Sequence, residues 1–174
     1  MLIYCFKDRK PQIAPNTYIA PSAQIIGAVT IGKQCYIGHG AVPRADYGTI
    51  IIGDETAIEE GCIIHARPQG ITQIGKEVTV GHGAMIHNAI IEDYAVIGMQ
   101  SVISDFSKVG TWAIIGEMGL VKNGQTVPPA KVAVGVPVKI IGDISEEQKR
   151  FWAEGKKLYQ NLSLRYPEWS KEIK

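Results

Sequence analysis

Residues 13–42 read IAPNTY IAPSAQ IIGAVT IGKQCY IGHGAV when the chain is cut every six residues. Each of these hexads opens with isoleucine, and its fifth residue is small or β-branched. The pattern breaks at P-R-A-D-Y-G (43–48), resumes at Ile52, and runs to Val127 with one further interruption at residues 66–73. Internal hexads of this kind predict a parallel β-helix, in which each short strand stacks on its equivalent one coil further along.

Two other fold classes fit the sequence less well. Amphipathic helices would place apolar residues every three or four positions, and the many glycine, proline and β-branched residues between positions 13 and 137 break such a stripe. A β-sandwich would alternate apolar and polar residues and use hairpin turns, whereas the single N-G pair, Asn123–Gly124, falls inside a hexad. The sequence therefore predicts an all-β solenoid.

The pattern changes after Pro137. Residues 145–148 form a capping box, S-x-x-Q, which predicts a helix from Ser145 to about Leu164. Pro167 permits a second short helix that would carry Trp169 and Ile173. We therefore expect a β-helix domain over residues 1–142 and a helical segment over 143–174. The first helix has apolar residues at helical spacing, which we expect to pack on the flank of the coil, with a lid or a subunit contact as the alternative: Phe151, Trp152, Leu158, Tyr159 and Leu162.

Composition excludes several kinds of partner. The 174 residues contain 18 Lys and Arg against 17 Asp and Glu, a net charge of +1, without the basic block that nucleic acid or an anionic membrane would require. The first ten residues are too quickly charged for a signal peptide, and no apolar run is long enough to span a membrane, so we expect a cytoplasmic protein. Cys5, Cys35 and Cys62 are widely spaced without a CxxC motif, which favours reduced thiols, the latter two buried.

Three of the four histidines indicate a metal site. Residues 80–88, V-G-H-G-A-M-I-H-N, contain His82 and His87, and three imidazoles are one of the known ligand sets of catalytic zinc. His65 and His87 are each second in a hexad, and their hexads lie three apart with one added loop between them. On a three-sided coil they would stack about 4.8 Å apart. His82 would lie on another side, so a site using all three histidines would need a partner chain, most simply in a trimer.

Charged residues near these histidines leave alternatives open. Arg44, in the break at residues 43–48, could bind a carboxylate or a small anion such as bicarbonate, or it could form a salt bridge with Asp46. Glu59, one hexad before His65, is expected beside the histidine level, where it could accept a proton from metal-bound water or hold that water in place. The alternative is a solvated or arginine-paired carboxylate. His39, alone in I-G-H-G, is interpreted as a hydrogen-bonded or surface imidazole.

The chain resembles the gamma-class carbonic anhydrase family, and especially its short members described as ferripyochelin-binding-like or carnitine and phenylacetate operon proteins. The resemblance rests on the hexads, the break P-R-A-D-Y-G, C-I-I-H (62–65), G-H-G-A-M-I-H (81–87) and A-V-G-V-P (133–137). It implies a left-handed β-helix with three hexads per coil, whose aliphatic openers line the interior. It also implies a homotrimer that binds zinc, or iron or cobalt, through His65 and His87 of one chain and His82 of its neighbour, and that hydrates CO2 to bicarbonate with metal-bound hydroxide.

The sequence also departs from that family. Ala57 and Glu59 replace an expected asparagine and an expected glutamine that positions the metal-bound water, and the acidic loop that carries the proton shuttle is absent. Negative charge at Glu59 should raise the pKa of that water. Two alternative functions therefore stay open, an acyltransferase or acyl-CoA thioesterase and a catalytically silent metal-binding scaffold. Tyr159 is expected to pack rather than to reach the metal pocket.

Overall fold

The computed structural model describes residues 2–170 and residue 173, and it shows a parallel β-helix followed by one α-helix. In chain order the strands are β1 Leu2–Tyr4, β2 Gln12–Ile13, β3 Tyr18–Ile19, β4 Gln24–Ile31, β5 Tyr36–Ile37, β6 Val42–Ile52, β7 Ala57–Ile58, β8 Ile63–His65, β9 Ile71–Ile74, β10 Thr79–Val80, β11 Met85–His87, β12 Ile90–Ile91, β13 Val96–Ile97, β14 Val102–Ile103, β15 Lys108–Val109, β16 Ile114–Ile115, β17 Leu120–Val121, β18 Thr126–Val127, β19 Lys131–Gly135 and β20 Val138–Asp143. The helix, α1, is Glu146–Trp169.

The strands stack on three sides of a prism. Gln12 pairs with Thr30, and Tyr18 with Tyr36, so one coil spans 18 residues, or three hexads. The first side contains β8, β11, β14 and β17, the second β9, β12, β15 and β18, and the third β7, β10, β13 and β16. The long strands β4 and β6 run from the first side onto the second. The three-sided coil is therefore confirmed.

The interior follows the hexads. The openers from Ile25 to Val127 are buried, and so are most of the fifth residues, including Cys35 and Cys62, as expected for free thiols. Fully burying one isoleucine side chain contributes roughly 1.5–3 kcal/mol. Because each opener stacks on the same position one coil away, these contributions accumulate along continuous ladders. The small fifth residues leave room where the chain turns a corner.

The break at residues 43–48 is a bulge inside β6 and not a loop. Gly27 pairs with Ala45 and Val29 with Ile50, so β6 contains three more residues than β4 at this corner. A side chain at Gly27, whose φ is +78°, would place its Cβ only 2.2 Å from the carbonyl oxygen of Ala45. Glycine is required for this close approach. The bulge turns Asp46 and its neighbours toward the corner where His65 lies.

The single C-terminal helix corrects one prediction. The capping box is confirmed, since the Ser145 hydroxyl accepts from the Gln148 N–H and the Gln148 side chain accepts from the Ser145 N–H. The separate second helix at Trp169 and Ile173 is wrong, because α1 continues through Pro167 to Trp169 and Ile173 lies outside it. Proline in the last turn removes only one N–H donor, and the Ser170 N–H still bonds the carbonyl of Tyr166 at 2.9 Å.

The packed face of α1 also differs from the predicted stripe. Phe151 and Leu158 were expected against the coil, but they are 67% and 65% exposed. The packed face could not be recognised from the pattern of apolar residues, because it has a lysine in its middle and such a pattern counts lysine as polar. Lys156 is buried, and its amine donates to the Thr79 hydroxyl at 3.2 Å and to the carbonyl of Ala95 at 3.3 Å. The packed residues follow a spacing of four and three: Trp152, Lys156, Tyr159, Ser163 and Tyr166.

The end of the coil was not predicted. On the third side β19 stacks in parallel on β16 and then pairs antiparallel with β20, which closes this side before α1 begins. Strand β20 ends at Asp143, two residues before the N-cap of α1. No helix in the part of the chain that the structure describes is long and apolar enough to cross a membrane.

Candidate metal centre

His65 and His87 meet at the corner between the first and second sides. They end the paired strands β8 and β11 and lie opposite each other in the register. The Nδ1 atom of His65 is 3.1 Å from the Nε2 atom of His87. This confirms that the two residues stack, as predicted from three intervening hexads plus one inserted loop.

A buried threonine fixes the spacing of these strands where the inserted loop leaves the coil. The Thr72 hydroxyl donates to the carbonyl oxygen of His65 at 2.6 Å and accepts from the N–H of Asn88 at 2.9 Å. Thr72 is fully buried, so water does not compete for these bonds. The loop at 66–70 therefore adds residues without separating the two histidines.

The other nitrogen of His65 faces Asp46. Its Nε2 atom is 3.1 Å from Oδ1 of Asp46, and Oδ2 of the same carboxylate accepts from Arg44. Burial would raise the pKa of Asp46, but the hydrogen bond with His65 and the charge of Arg44 outweigh it and hold that pKa below its ordinary value. The Arg44 and Asp46 salt bridge is thus present, and it is joined to the histidine.

His87 has an equivalent partner that sequence analysis missed. Its Nδ1 atom is 2.8 Å from Oδ1 of Asp105, which also accepts a two-pronged contact from Arg67. The hydrogen bonds from Arg67 lower the pKa of Asp105 to about 2, with a further contribution from His87. Asp105 is third in the hexad of Ile103, a corner position. The hexad of Ile103 stacks on the hexad that contains His87, and this position was the one feature of the sequence that could have pointed to Asp105.

His82 lies at a different corner, between the third and first sides. Its ring contacts two carboxylates, with Nε2 at 3.1 Å from Oε2 of Glu59 and Nδ1 at 2.8 Å from Oε2 of Glu60. The backbone N–H of His82 also donates to Glu59 at 3.2 Å. This corner is therefore strongly acidic, and His82 belongs to a separate cluster from His65 and His87, as its hexad position predicted.

The expected position of Glu59 is wrong for a single chain. One hexad is one side of the prism, so Glu59 stands one corner away from His65 and contacts His82 instead. It is only 6% exposed, and burial raises its pKa, while His82 and the Tyr159 hydroxyl act in the opposite direction. Tyr159 on α1 packs on Tyr36 with a ring distance of 5.2 Å and borders this cluster, so it both packs and reaches the His82 corner.

The corner with His65 and His87 fits half of a metal site. Two nitrogens on one tetrahedral zinc are about 3.3 Å apart, given Zn–N bonds of about 2.0–2.1 Å, and the observed 3.1 Å is close to that value. Each ring also has its outer nitrogen on an aspartate, the arrangement that orients metal-binding histidines in proteins. Among residues 2–170 and 173, no group of three or more His, Cys, Asp or Glu side chains is arranged to hold a metal within one chain.

The fold and these corners define a hexapeptide-repeat β-helix protein with a histidine-rich edge. Residues 10–42 match the family described as bacterial transferase hexapeptide (six repeats). The carnitine operon protein CaiE of Proteus sp. (strain LE138) is 35% identical over 165 residues, which is 95% of this chain and 84% of that protein. The chain therefore belongs to the hexapeptide-repeat transferase family, together with the carnitine operon proteins.

Solved structures agree with this assignment. The product of the Bacillus cereus BC4754 gene, described as a candidate acetyltransferase, is 33% identical, with a TM-score of 0.95 over 97% of this chain and 98% of that one. A hexapeptide transferase family protein from Anaplasma phagocytophilum is 29% identical, with a TM-score of 0.91 over 95% of this chain and 98% of that one. The coil is accordingly the left-handed β-helix of hexapeptide-repeat proteins.

Proposed function

We propose that this protein is a metal-dependent enzyme whose centre is shared between subunits. His65 and His87 of one chain and His82 of the partner subunit would hold zinc, with iron or cobalt as alternatives. One observation carries the proposal: the inner nitrogens of His65 and His87 lie 3.1 Å apart while Asp46 and Asp105 engage their outer nitrogens. A carboxylate on the outer nitrogen orients the ring and makes it a better ligand.

The position of the two corners supports a ring of three chains. The His82 corner and the His65 corner border the same side of the prism, the first. If the first side of each chain faces a threefold axis, the His82 corner of one subunit meets the His65 corner of the next, and all three interfaces are identical. The outward residues of this side are apolar and partly exposed, as expected for a buried face: Ile63 at 38%, Met85 at 46% and Val102 at 37%.

The reaction we propose is reversible hydration of CO2 to bicarbonate, as in the gamma-class carbonic anhydrases that the chain resembles. A metal of this kind supplies a hydroxide nucleophile near neutral pH. In this chain Asp46 and Asp105 fix the orientation of the two ligand rings. Arg44 presents a half-exposed guanidinium beside the centre, which suits an anionic product. Glu59 of the partner subunit would add negative charge, which opposes that product and predicts slow turnover.

A second candidate is acyl transfer to or from coenzyme A, or hydrolysis of an acyl-CoA thioester. The comparisons favour this candidate over carbonic anhydrase, since the family and the Bacillus cereus relative carry transferase names. The structure adds a groove of about 480 Å³ on the second side, which begins at Asn88, next to His87. Its walls include Ile71, Ile90 and Phe106, which could accept an apolar chain. Three histidines at metal-ligand spacing are not required by this chemistry.

The experiment is a pair of assays on one preparation. Purified protein is loaded with zinc, cobalt or iron(II), its metal content is measured, and CO2 hydration is followed by stopped flow beside His87→Ala. We expect hydration that depends on metal and disappears in the variant. Turnover of acyl-CoA without CO2 hydration would establish the second candidate. Metal binding without either activity would indicate a silent scaffold.

A further inference from the structure

The loop inserted between β8 and β9 carries an arginine that reaches back to the histidine corner. Arg67 donates from Nε to Oδ1 of Asp105 at 2.6 Å and from Nη2 to Oδ2 at 3.0 Å. The same Oδ1 accepts from Nδ1 of His87 at 2.8 Å. Thirty-eight residues separate Arg67 from Asp105, so the contact joins the loop to a coil much further along the chain.

We propose that Arg67 is a positioning residue for His87 and acts through Asp105, an inference that rests on the shared metal centre proposed above. A planar guanidinium that binds both oxygens of a carboxylate restricts it to one orientation. Asp105 held in this way presents Oδ1 to His87 Nδ1 and leaves Nε2 of that ring for a metal. Among the described residues, the Arg67 side chain donates its hydrogen bonds to Asp105 and none to either histidine.

The other half of the corner has the same construction, built locally. Arg44 and Asp46 lie two residues apart on β6, and Asp46 contacts His65. Each histidine therefore contacts an aspartate, which in turn contacts an arginine. The contacts from Arg67 through Asp105 to His87 depend on the interruption of the hexad period at residues 66–73, because the inserted loop carries Arg67. The β-helix fold does not itself require this loop.

Exposure argues against a purely structural role for this pair. The Arg67 side chain is 54% exposed, and exposed ion pairs contribute little to the stability of a fold. Loss of Arg67 should therefore leave the β-helix intact while it loosens Asp105.

The test is Co²⁺ binding to the metal-free full-length protein, followed by the visible absorption of the ion, which reports its coordination. The variants are Arg67→Gln, Arg67→Lys, Asp105→Asn and the double variant Arg67→Gln with Asp105→Asn. Asp54→Asn is the matched control, because Asp54 is also a corner aspartate paired with a basic side chain, with Oδ2 at 3.7 Å from Nζ of Lys33, but lies away from the histidines. Circular dichroism and gel filtration check that each variant keeps its fold and assembly.

We expect Asp105→Asn to raise the Kd for Co²⁺ by about 10–100-fold, the usual effect of losing such a partner. Arg67→Gln should raise it by a smaller factor and alter the Co²⁺ spectrum, and Arg67→Lys should restore it only in part. In the Asp105→Asn background, Arg67→Gln should change the Kd by less than about twofold, since both residues act through one contact. Equal effects in both backgrounds, or wild-type binding and spectrum in Arg67→Gln, would overturn the inference.

These outcomes separate the inference from the proposed reaction. Protein that binds Co²⁺ and shows the expected variant pattern, but does not hydrate CO2, refutes the reaction and supports the role of Arg67. Protein that hydrates CO2 while Arg67→Gln binds Co²⁺ normally refutes the role and supports the reaction. Wild-type protein that takes up no Co²⁺ overturns both, because the shared centre is their common premise.

Discussion

The two corners that border the first side hold their histidines in opposite ways. At the corner between the first and second sides, Asp46 and Asp105 each engage one outer nitrogen, and the inner nitrogens of His65 and His87 face each other. At the other corner, Glu59 and Glu60 engage both nitrogens of His82. At the first corner the inner nitrogens face only each other, as the proposed metal site requires, whereas at the second both nitrogens of His82 face carboxylates.

This difference indicates how the centre would form. A histidine binds a metal through an unprotonated nitrogen, so His82 must release one carboxylate before it can act as a ligand. His65 and His87 need no such exchange with a carboxylate. Metal binding should therefore be coupled to subunit assembly, with His65 and His87 as the preformed half and His82 as the half that rearranges.

The largest expected effect is the loss of the preformed half. His87→Ala should weaken metal binding by more than about 100-fold, beyond the range for loss of an outer partner, because a ligand itself is removed. His39→Ala is the matched control. His39 is an exposed corner histidine whose Nδ1 atom is 2.8 Å from the Ser22 hydroxyl, so its loss should leave the metal content unchanged. Metal analysis of both variants after identical loading is the measurement.

The opposite outcome for this pair of variants has a clear meaning. If His87→Ala retained full metal content with an unchanged Co²⁺ spectrum, the His65 and His87 corner would be a hydrogen-bond network only. The comparison between the two corners would then concern structure and not metal chemistry.

The next effect tests whether the two corners meet in different subunits. His82→Ala and His87→Ala should each abolish the site, but every mixed trimer of the two contains one intact site. Unfolding and random reassembly of an equal mixture should therefore restore about a quarter of the wild-type metal content, because about three quarters of the trimers are mixed and each has one site in three. Metal content near zero after confirmed mixing would show that all ligands come from one chain.

The β-helix could be predicted from the sequence because its signal is local and repeated. Every opener from Ile25 to Val127 carries the same information, and the stacking of His65 on His87 follows from counting hexads. The packed face of α1 could not be predicted, since Lys156 is buried against Thr79 and Ala95, which lie 77 and 61 residues away. A contact between residues so far apart in the sequence does not appear in its repeating pattern.

For the candidate site, too, the features set by the repeat could be predicted and the contacts between distant residues could not. Histidine positions are set by the repeat, so their corners could be assigned, whereas the partners of those histidines depend on which side chains reach across coils. Asp105 and Arg67 are joined over 38 residues and were missed. Glu59 was placed beside the wrong histidine, because one hexad of separation means a neighbouring side and not a neighbouring coil.

A smaller effect should come from the carboxylates of the His82 corner. Glu59 is 6% exposed, so its charge is poorly screened, whereas the Glu60 side chain is 38% exposed. If Glu59 acts as a repulsive charge, Glu59→Gln should raise CO2 hydration near pH 7.5 by up to about tenfold, corresponding to about one pKa unit, and Glu60→Gln should change it less. Stopped-flow assays at equal metal content provide the comparison.

A decrease in Glu59→Gln would reverse that interpretation. The carboxylate would then act as a proton acceptor, the role first considered for it from the sequence. In that case the His82 corner would supply a group that takes part in the reaction as well as a metal ligand.

The last expected effect concerns α1, which packs on β3, β5 and β7 of the third side and borders the His82 corner through Tyr159. Burial lowers the pKa of Lys156 to about 7 from 10.5, although the charges of Glu77 and Glu59 oppose the shift. Between those two pH values the unfolded chain binds a proton that the folded chain lacks, so stability should rise with pH over this range and level off outside it.

Lys156 should affect the stability of the fold but not metal binding at the His65 and His87 corner. From pH 7.5 to 9.0 the gain in unfolding free energy should be at most about 2 kcal/mol, at about 1.4 kcal/mol per pH unit. Lys156→Met should remove the gain, as measured by urea unfolding at fixed subunit concentration. Because α1 packs on strands of the third side and the His65 and His87 corner lies between the first and second, the Co²⁺ affinity of the variant should change by less than about threefold, which is about 0.7 kcal/mol. A variant that kept the wild-type pH slope would show that the buried amine is not its source. A large loss of Co²⁺ affinity in the variant would show instead that α1 controls how readily His82 leaves its carboxylates.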